Sequence, residues 1–407
     1  MTVLVVQMNA LRLVQMERGL QTNMKIERDS YSTSFSPTLC VTHSCNLSCV
    51  YCYQKNKSNK HMTFNIAKEC VDDIFKNIPE GTKIIEISFI GGEPLLEIKL
   101  LKKVYEYTMS KYADNRLRFF ATTNGTILSN DDKEWFKEHK ERFVLGLSLD
   151  GTPQTHNINR TNSYNKIDIP FFVNTWPKQG PKMTISKNTI QNLADDIIFI
   201  HEQGFKYING VNFAEGDFDW GNKEDLLILS QQLRKLLDFY TEHYNLNLDQ
   251  MFGKHIEFCS SDNVEKHKTC GIGTNTMLYD VDGQKYPCSF VTPLTFSSKE
   301  LDKINSIDFH KYDELVDEDC LEKCYLYPIC SSCSGANYLV NHSFSERIKT
   351  RCEMNKLISL YIAELHTRRI LNHRELYKDS NQLYFLIEAI KGIKANYYEE
   401  FKTYLDV

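Results

Sequence analysis

From Pro37 to about Phe213 the chain alternates between two hydrophobic periods. Short runs rich in branched and aromatic residues, bounded by turn-forming residues, fall at 37–42, 84–90, 117–122, 143–149, 182–186 and 207–213 and predict strands. Between them apolar residues recur at helical spacing. Ala67, Cys70, Val71, Ile74, Phe75 and Ile78 share one helical face; Ile190, Leu193, Ala194, Ile197 and Ile198 share another, with Gly204 placed to end that helix. Ser129, ahead of Asn130, Asp131 and Asp132, marks a helix start before Trp135 and Phe136. Six strand–helix units in succession predict an α/β fold with a parallel sheet and right-handed crossovers. Active sites of such sheets form at the C-terminal strand ends. Residues 222–245 predict a helix carrying Leu226, Leu229, Leu233, Leu236 and Leu237 and leading away from the sheet. Residues 259–352 are irregular. Helical spacing returns at Leu357, Leu360, Tyr361 and Leu365, and again over 381–393. Residues 1–36 carry no clear start or stop signals and are expected to hold a short helix or strand ahead of the core.

Composition narrows the class. A chain of 407 residues can hold one large domain and a smaller one, and 42% hydrophobic with 25% charged residues is ordinary for a soluble globular protein. The net charge of −5, spread along the chain, argues against a nucleic-acid partner, which would call for a basic patch. Met1–Val14 has no basic leading region, is too short to span a bilayer and is followed by Glu17 and Arg18. A cytoplasmic protein without a membrane partner is expected. Disulfides are rare in that compartment, so metal ligation is the natural use for thirteen cysteines.

The densest group is Cys45-Asn-Leu-Ser-Cys49-Val-Tyr-Cys52, directly after the first predicted strand. A short loop with this spacing can turn three sulfurs toward one centre, and soft thiolates so placed favour iron–sulfur clusters or zinc. A structural zinc site is closed by four protein ligands; three thiolates on a four-iron cube leave one iron open. Three unrelated cysteines, or zinc completed by His43, are the other readings. Gly91-Gly92-Glu93-Pro94 follows the second strand, where glycines let backbone approach a ligand closely; alone it is a turn. Ser148-Leu149-Asp150-Gly151 ends the fourth strand and is followed by His156 and Arg160, polar groups able to bind a ligand or to form a capped turn with a surface arginine. Thr123-Asn124-Gly125, ending the third strand, is less informative. Cys40 on a strand and Cys70 on an apolar helix face read as small buried residues.

With Tyr51 in the aromatic place, the first cysteine group resembles the CxxxCx(aromatic)C signature of radical S-adenosylmethionine (SAM) enzymes, and Gly91–Pro94 resembles that family's GGE motif. The resemblance implies a curled, incomplete (β/α)6 TIM-like barrel. It implies a 4Fe–4S cluster on Cys45, Cys49 and Cys52 whose open iron binds the amino and carboxylate groups of SAM and cleaves it to a 5′-deoxyadenosyl radical. It places cofactor contacts at Tyr51, Gly91, Gly92, Glu93, Pro94, Ser148, Asp150 and Arg160, and adenine contacts at Met183, Val211 and Asn212, the first two of which also read as plain core.

Downstream, Cys270-x12-Gly283-x4-Cys288 is followed by Cys320-x3-Cys324-x5-Cys330-x2-Cys333 and then Cys352. This resembles the SPASM extension of radical SAM enzymes, which holds two auxiliary 4Fe–4S clusters. The usual inner spacing of x2, x5, x3 stands here as x3, x5, x2. Position by position, the resemblance gives Cys270, Cys288 and Cys333 to the first auxiliary cluster, with Cys259 as candidate further ligand, and Cys320, Cys324, Cys330 and Cys352 to the second. A zinc ribbon is the other reading of 320–333 alone. The implied organisation is an N-terminal extension (1–36), the barrel (37–220), a bridging helical region (221–258), a SPASM domain (259–355) and C-terminal helices (356–407).

Enzymes of this architecture mostly modify peptides or proteins, and Cys324–Tyr338 resembles maturases of cysteine-containing ribosomal precursors. The implied function is hydrogen abstraction from a precursor peptide with thioether crosslinking as the leading reaction and carbon–carbon crosslinking next. The implied partners are the precursor peptide and a flavodoxin- or ferredoxin-type reductant, with room for a separate leader-recognition protein, since 1–36 is too short for a winged-helix leader-binding domain. A sulfatase maturase, forming formylglycine, is the alternative. Such enzymes carry an aspartate base after the cysteine equivalent to Cys288, where this chain has Ser289, a much poorer base. A non-catalytic iron–sulfur carrier is the third reading, and it would have no use for Gly91–Pro94.

Overall fold

The computed structural model describes residues 33–215, 220–260, 270–311 and 315–406; the part of the N-terminal extension before residue 33 lies outside them. Strands β1 (Ser34–Thr42), β2 (Ile84–Gly91), β3 (Leu117–Thr123) and β4 (Phe143–Leu147) pair in parallel, each beside the one before it. Strands β5 (Lys182–Ile185) and β6 (Gly210–Phe213) form a further parallel pair. A bridge between Ser148 and Lys182, with the Leu149 N–H donating to the Lys182 carbonyl at 2.9 Å, carries the sheet from β4 to β5. The crossovers contain helices α1 (Phe64–Lys76), α2 (Ile98–Tyr112), α3 (Asn130–Glu138), α4 (Pro153–Asn159), α5 (Ile169–Thr175) and α6 (Leu193–Glu202). The six strand–helix units are those the pattern predicts, and the incomplete barrel is the one the family resemblance implies.

Local signals and core burial agree. The Thr63 side chain caps α1 by accepting from the Ile66 N–H, while Ala67, Cys70, Val71 and Ile74 are buried on one face. Ser129 and Asp132 form a reciprocal capping box on α3. Phe89, Phe119 and Phe143, from three neighbouring strands, stack with centroids 5.6–6.3 Å apart. Burying each such ring contributes roughly 1.5–3 kcal/mol.

Two features depart from the expected organisation. Helix α7 (Lys223–Glu242) does not lead away from the barrel. It buries Leu226, Leu229, Leu233, Leu236 and Leu237 beside α6, and Gln232 Oε1 accepts from the Ala194 N–H at 3.1 Å. Five leucines on one stripe need an apolar partner, and the outer face of the last barrel unit supplies it. The cysteine-rich region also enters the sheet. Its strand β7 (Thr276–Tyr279) pairs in parallel with the free edge of β1, from Ser36↔Thr276 to Leu39↔Tyr279, and β8 (Lys285–Tyr286) returns antiparallel, giving the order β4-β3-β2-β1-β7-β8. His43 Nε2 and Asp280 Oδ1, both buried, meet at 2.7 Å across the ends of β1 and β7. Beyond lie α8 (Ser298–Ile304), α9 (Glu318–Lys323), α10 (Ser334–Asn341), α11 (Thr350–Asn372) and α12 (Ser380–Leu405). Helix α11 packs on α7, with the hydroxyls of Ser230 and Tyr361 2.8 Å apart.

Candidate active site

The loop after β1 brings Cys45, Cys49 and Cys52 together, all half-buried, each within electrostatic reach of the others. Burial pushes the Cys45 and Cys49 thiols above their ordinary values. Thiols raised in this way hold their protons, and metal binding would release them. His43 does not complete a zinc site here: its ring nitrogens are on Asp280 and, at 3.2 Å, on Ser58 Oγ.

The Gly91-Gly92-Glu93 backbone lies against this loop. The Gly92 N–H donates to the Thr42 carbonyl at 3.0 Å and the Glu93 N–H to the Ser44 carbonyl at 2.9 Å. A Cβ on Gly91 would lie 2.3 Å from the Thr42 oxygen, and one on Gly92 2.3 Å from the Ser44 oxygen and 2.8 Å from Cys45 Cβ. Close approach to the cysteine loop, not a special φ, therefore requires these glycines. The buried Glu93 carboxylate accepts from Leu95 N–H (3.1 Å) and Thr123 Oγ1 (2.8 Å) through Oε1, and from Asn124 N–H (2.8 Å) through Oε2. Pro94 starts the short 3-10 turn that follows. The facing thiols and this side-chain-free cradle fit a soft-metal cluster on the three cysteines. They also fit a small amino-acid-like ligand held by the Gly91–Glu93 backbone.

Asp150, expected to touch cofactor, is enclosed instead, with no exposed surface. Its Oδ2 accepts from Tyr51 Oη (2.5 Å) and Arg160 Nε (2.9 Å), and its Oδ1 from the Thr184 N–H (3.0 Å). A buried carboxylate needs such donors and a counter-charge, and Asp150 finds them among the residues that support the cysteine loop. Tyr51 likewise turns inward: the Arg160 guanidinium lies over its ring at 5.4 Å. Arg160 reaches Cys49 Sγ through its Nη1, 4.0 Å away. Ser148 stands at the sheet bridge, and its N–H donates to the Thr123 carbonyl at 2.8 Å. His156 is buried, its Nε2 3.0 Å from Ser163 Oγ, and burial lowers its pKa to about 4. Met183 and Val211 are buried opposite each other on β5 and β6, while Asn212 is exposed.

Three residues had no role from sequence alone. Asn46, inside the cysteine motif, accepts from Asn124 Nδ2 at 2.8 Å and donates to Thr126 Oγ1 at 2.9 Å. The Asn159 carbonyl accepts from the Val50 N–H at 3.0 Å. Tyr53 lies among Cys52, Cys288 and Cys333 and stacks on Phe290 at 4.3 Å. It joins the loop to the cysteine-rich region, as do Asn56 N–H and the Leu294 carbonyl at 3.0 Å. Asn46 lies inside the cysteine motif and Tyr53 directly after it, which was the available signal; nothing local marked Asn159.

The downstream cysteines separate into two neighbourhoods. Cys288 and Cys333 interact electrostatically with Cys270, and Cys270 Sγ lies 3.8 Å from Ser334 Oγ. Cys324, Cys330 and Cys352 form the other group, with Cys320 joined through Lys349, which faces both Cys320 and Cys352. Cys259, expected with the first group, is buried in a 3-10 turn packed on α12 and shares Lys254 with Cys330 and Tyr397 with Cys324. The turn's contact with α12 sets it on the side of the second group.

Residues 39–168 match the family model described as the Radical SAM superfamily. An uncharacterized protein of Methanocaldococcus jannaschii is 38% identical over 111 residues, 27% of this chain and 37% of that protein. A cysteine-type anaerobic sulfatase-maturating enzyme of Clostridium perfringens is 25% identical over 323 residues, 71% of this chain and 85% of that enzyme. The solved structure of anSMEcpe with bound AdoMet shares the fold at a TM-score of 0.64 and 21% identity, covering 88% of this chain and 98% of that one. Cys45, Cys49, Cys52, the Gly91–Pro94 cradle, Asp150 and Arg160 all fall in the matched span, and the chain therefore carries a radical SAM domain, continued by a cysteine-rich C-terminal region.

Proposed function

We propose that this protein is a radical SAM maturase of a peptide or protein substrate, and that it joins a precursor cysteine to a carbon by a thioether bond. The observation that carries the reading is the adjacency of the Cys45–Cys52 loop to the first downstream group through Tyr53. A radical site beside a second metal group suits a reaction that removes a hydrogen atom and then an electron. The family's cluster and SAM, when bound, supply a 5′-deoxyadenosyl radical that takes a hydrogen atom from carbon. The chain's own part is to hold, orient and shield. Cys45, Cys49 and Cys52 hold the cluster; Gly91, Gly92 and Glu93 present acceptors to SAM. Asp150, Tyr51 and Arg160 stiffen the loop from behind. Cys270, Cys288 and Cys333, and Cys320, Cys324, Cys330 and Cys352, are assigned to two auxiliary 4Fe–4S clusters.

Formylglycine formation is the second reading, favoured by the match across 85% of the sulfatase-maturating relative. The half-buried Ser289 beside Cys288 counts against it, because a hydroxyl cannot serve as the carboxylate base. The test is anaerobic turnover with SAM and reductant on two peptides, a cysteine-containing precursor and a sulfatase-type peptide. Loss of two hydrogens on the precursor with retained linkage of its cysteine sulfur supports thioether formation. Formylglycine on the sulfatase-type peptide would establish the second reading. SAM cleavage that persists in Cys45→Ala/Cys49→Ala/Cys52→Ala would remove both.

A further inference from the structure

The two downstream cysteine groups sit in unlike electrostatic surroundings. Around the second group, three sulfurs each have a polar neighbour at 3.7 Å: Lys349 Nζ at Cys320, Asn355 Nδ2 at Cys330 and Tyr397 Oη at Cys324. Lys349 also faces Cys352, as does Lys356, and Lys254 lies beside Cys330. Arg347 holds the Cys330 carbonyl at 3.0 Å. Asp317 offsets part of this charge, pairing with Lys349 at 3.2 Å and accepting from the N–H groups of Cys320 and Arg347. Lys356 is likewise shared with Glu353 and Glu400. The first group differs in charge. Its charged neighbour is the Glu215 carboxylate near Cys333, itself paired with Arg351 at 3.1 Å, and its sulfurs meet neutral donors: the Ser334 hydroxyl at Cys270, the Phe290 and Val291 N–H groups at Cys288 and the Ala336 N–H at Cys333.

The reduction potential of an iron–sulfur cluster rises with positive charge nearby and with hydrogen bonds to its sulfurs, because both stabilise the more negative reduced state. We infer that the second auxiliary cluster has the higher potential of the two, set by Lys349, Lys254, Asn355 and Tyr397, so that an electron shared between the pair rests on the second. This rests on the reading that both groups hold 4Fe–4S clusters. The step concerned is one-electron reduction of each cube from its 2+ to its 1+ state, with dithionite as donor in the test. These four residues are positioning residues for charge, acting through the sulfurs they face.

The experiment is a dithionite redox titration of anaerobically loaded full-length protein, followed by the EPR signal of the reduced cubes. It is run on wild type, on Cys270→Ala/Cys333→Ala, which retains the second cluster, and on Cys324→Ala/Cys352→Ala, which retains the first. The second cluster is expected to be half-reduced at the higher potential. Lys349→Gln should favour its oxidised state by about tenfold, a downward shift of about 59 mV for one electron, with Lys349→Arg restoring it and the first cluster unmoved. The Lys349 side chain is 56% exposed, so these variants should fold. Asn355→Leu should give a smaller shift of the same sign. If the cysteine variants do not load, the wave lost in Cys45→Ala/Cys49→Ala/Cys52→Ala is set aside and the two auxiliary waves of wild type are assigned by which one Lys349→Gln moves. Equal or reversed potentials, or no shift in either Lys349→Gln or Asn355→Leu, overturns the inference. Iron uptake limited to the Cys45–Cys52 cluster overturns the two-cluster reading itself, and is told apart by iron content before any potential is measured.

Discussion

Tyr51 and Asp150, ninety-nine residues apart in the chain, meet at 2.5 Å in a site closed to solvent, and Arg160 shares the same carboxylate oxygen at 2.9 Å. The tyrosine that makes the cysteine loop recognisable is therefore a strut between that loop and the β4 end. Its removal and that of its partner should differ. Tyr51→Phe leaves the Asp150–Arg160 pair intact and should cost about 1.5–3 kcal/mol, as for one hydrogen bond to a charged group. Asp150→Ala leaves Arg160 buried without its counter-charge and should cost about 3–5 kcal/mol. Urea unfolding of the two variants measures both, and equal losses would contradict the strut.

Gly92→Ala should empty the cysteine loop while sparing the rest. The added carbon meets backbone, at 2.3 Å from the Ser44 oxygen, so the loop itself must move. Of about twelve irons expected for three cubes, about four should be lost, together with 5′-deoxyadenosine formation. Full iron content with full SAM cleavage would show that the loop can yield without consequence.

Cys259→Ala should leave the cluster proposed on Cys270, Cys288 and Cys333 unchanged. The structure sets Cys259 against α12, beside Tyr325 and Tyr397. The readout is the EPR spectrum of the first auxiliary cluster in Cys324→Ala/Cys352→Ala with and without the added change. Loss of that spectrum would mean that Cys259 reaches the first group in the loaded protein.

Asp196 predicts a pH slope. Its Oδ1 accepts from Thr152 N–H at 2.9 Å and Thr152 Oγ1 at 3.0 Å, while its buried Oδ2 has no partner among the described residues. Burial pushes its carboxyl from 3.8 up to about 7. The native state then keeps a proton that the unfolded chain has released, so its contribution is complete below about pH 4 and is lost as pH rises through about 7. Asp196→Asn is uncharged throughout. The unfolding free energy of wild type minus that of the variant should fall across this window, and a flat difference from pH 4 to 7 would count against the raised carboxyl.

Much of the barrel was legible because each strand is a short, branched, buried run and each crossover helix carries its own stripe and cap. Ser129 and Asp132 announce α3 within four residues. The cysteine motif was legible for the same reason, being local. What escaped depends on contacts between distant segments. Strand β7 has four residues and β8 two, too few to carry a period, and their strand character comes from the edge of β1. The inward turn of Asp150 depends on Tyr51, Arg160 and Thr184, none adjacent to it. The leucines of α7 showed that a face would be buried, but not that the last barrel unit would bury it.

The addition of β7 to β1 has a consequence for synthesis of the chain. Ser36 must wait for Thr276, its partner in the sheet, which emerges 240 residues later. At about 5–20 residues per second that interval is on the order of ten to fifty seconds. Throughout it, β1 would present an unpaired edge, the kind of surface that recruits a neighbouring nascent chain. Pro37 stands in the middle of that edge, opposite the place later taken by Met277. Having no N–H to offer, it weakens any premature pairing there. A barrel cut off before residue 276 would keep that edge open permanently and should aggregate rather than fold as an independent half.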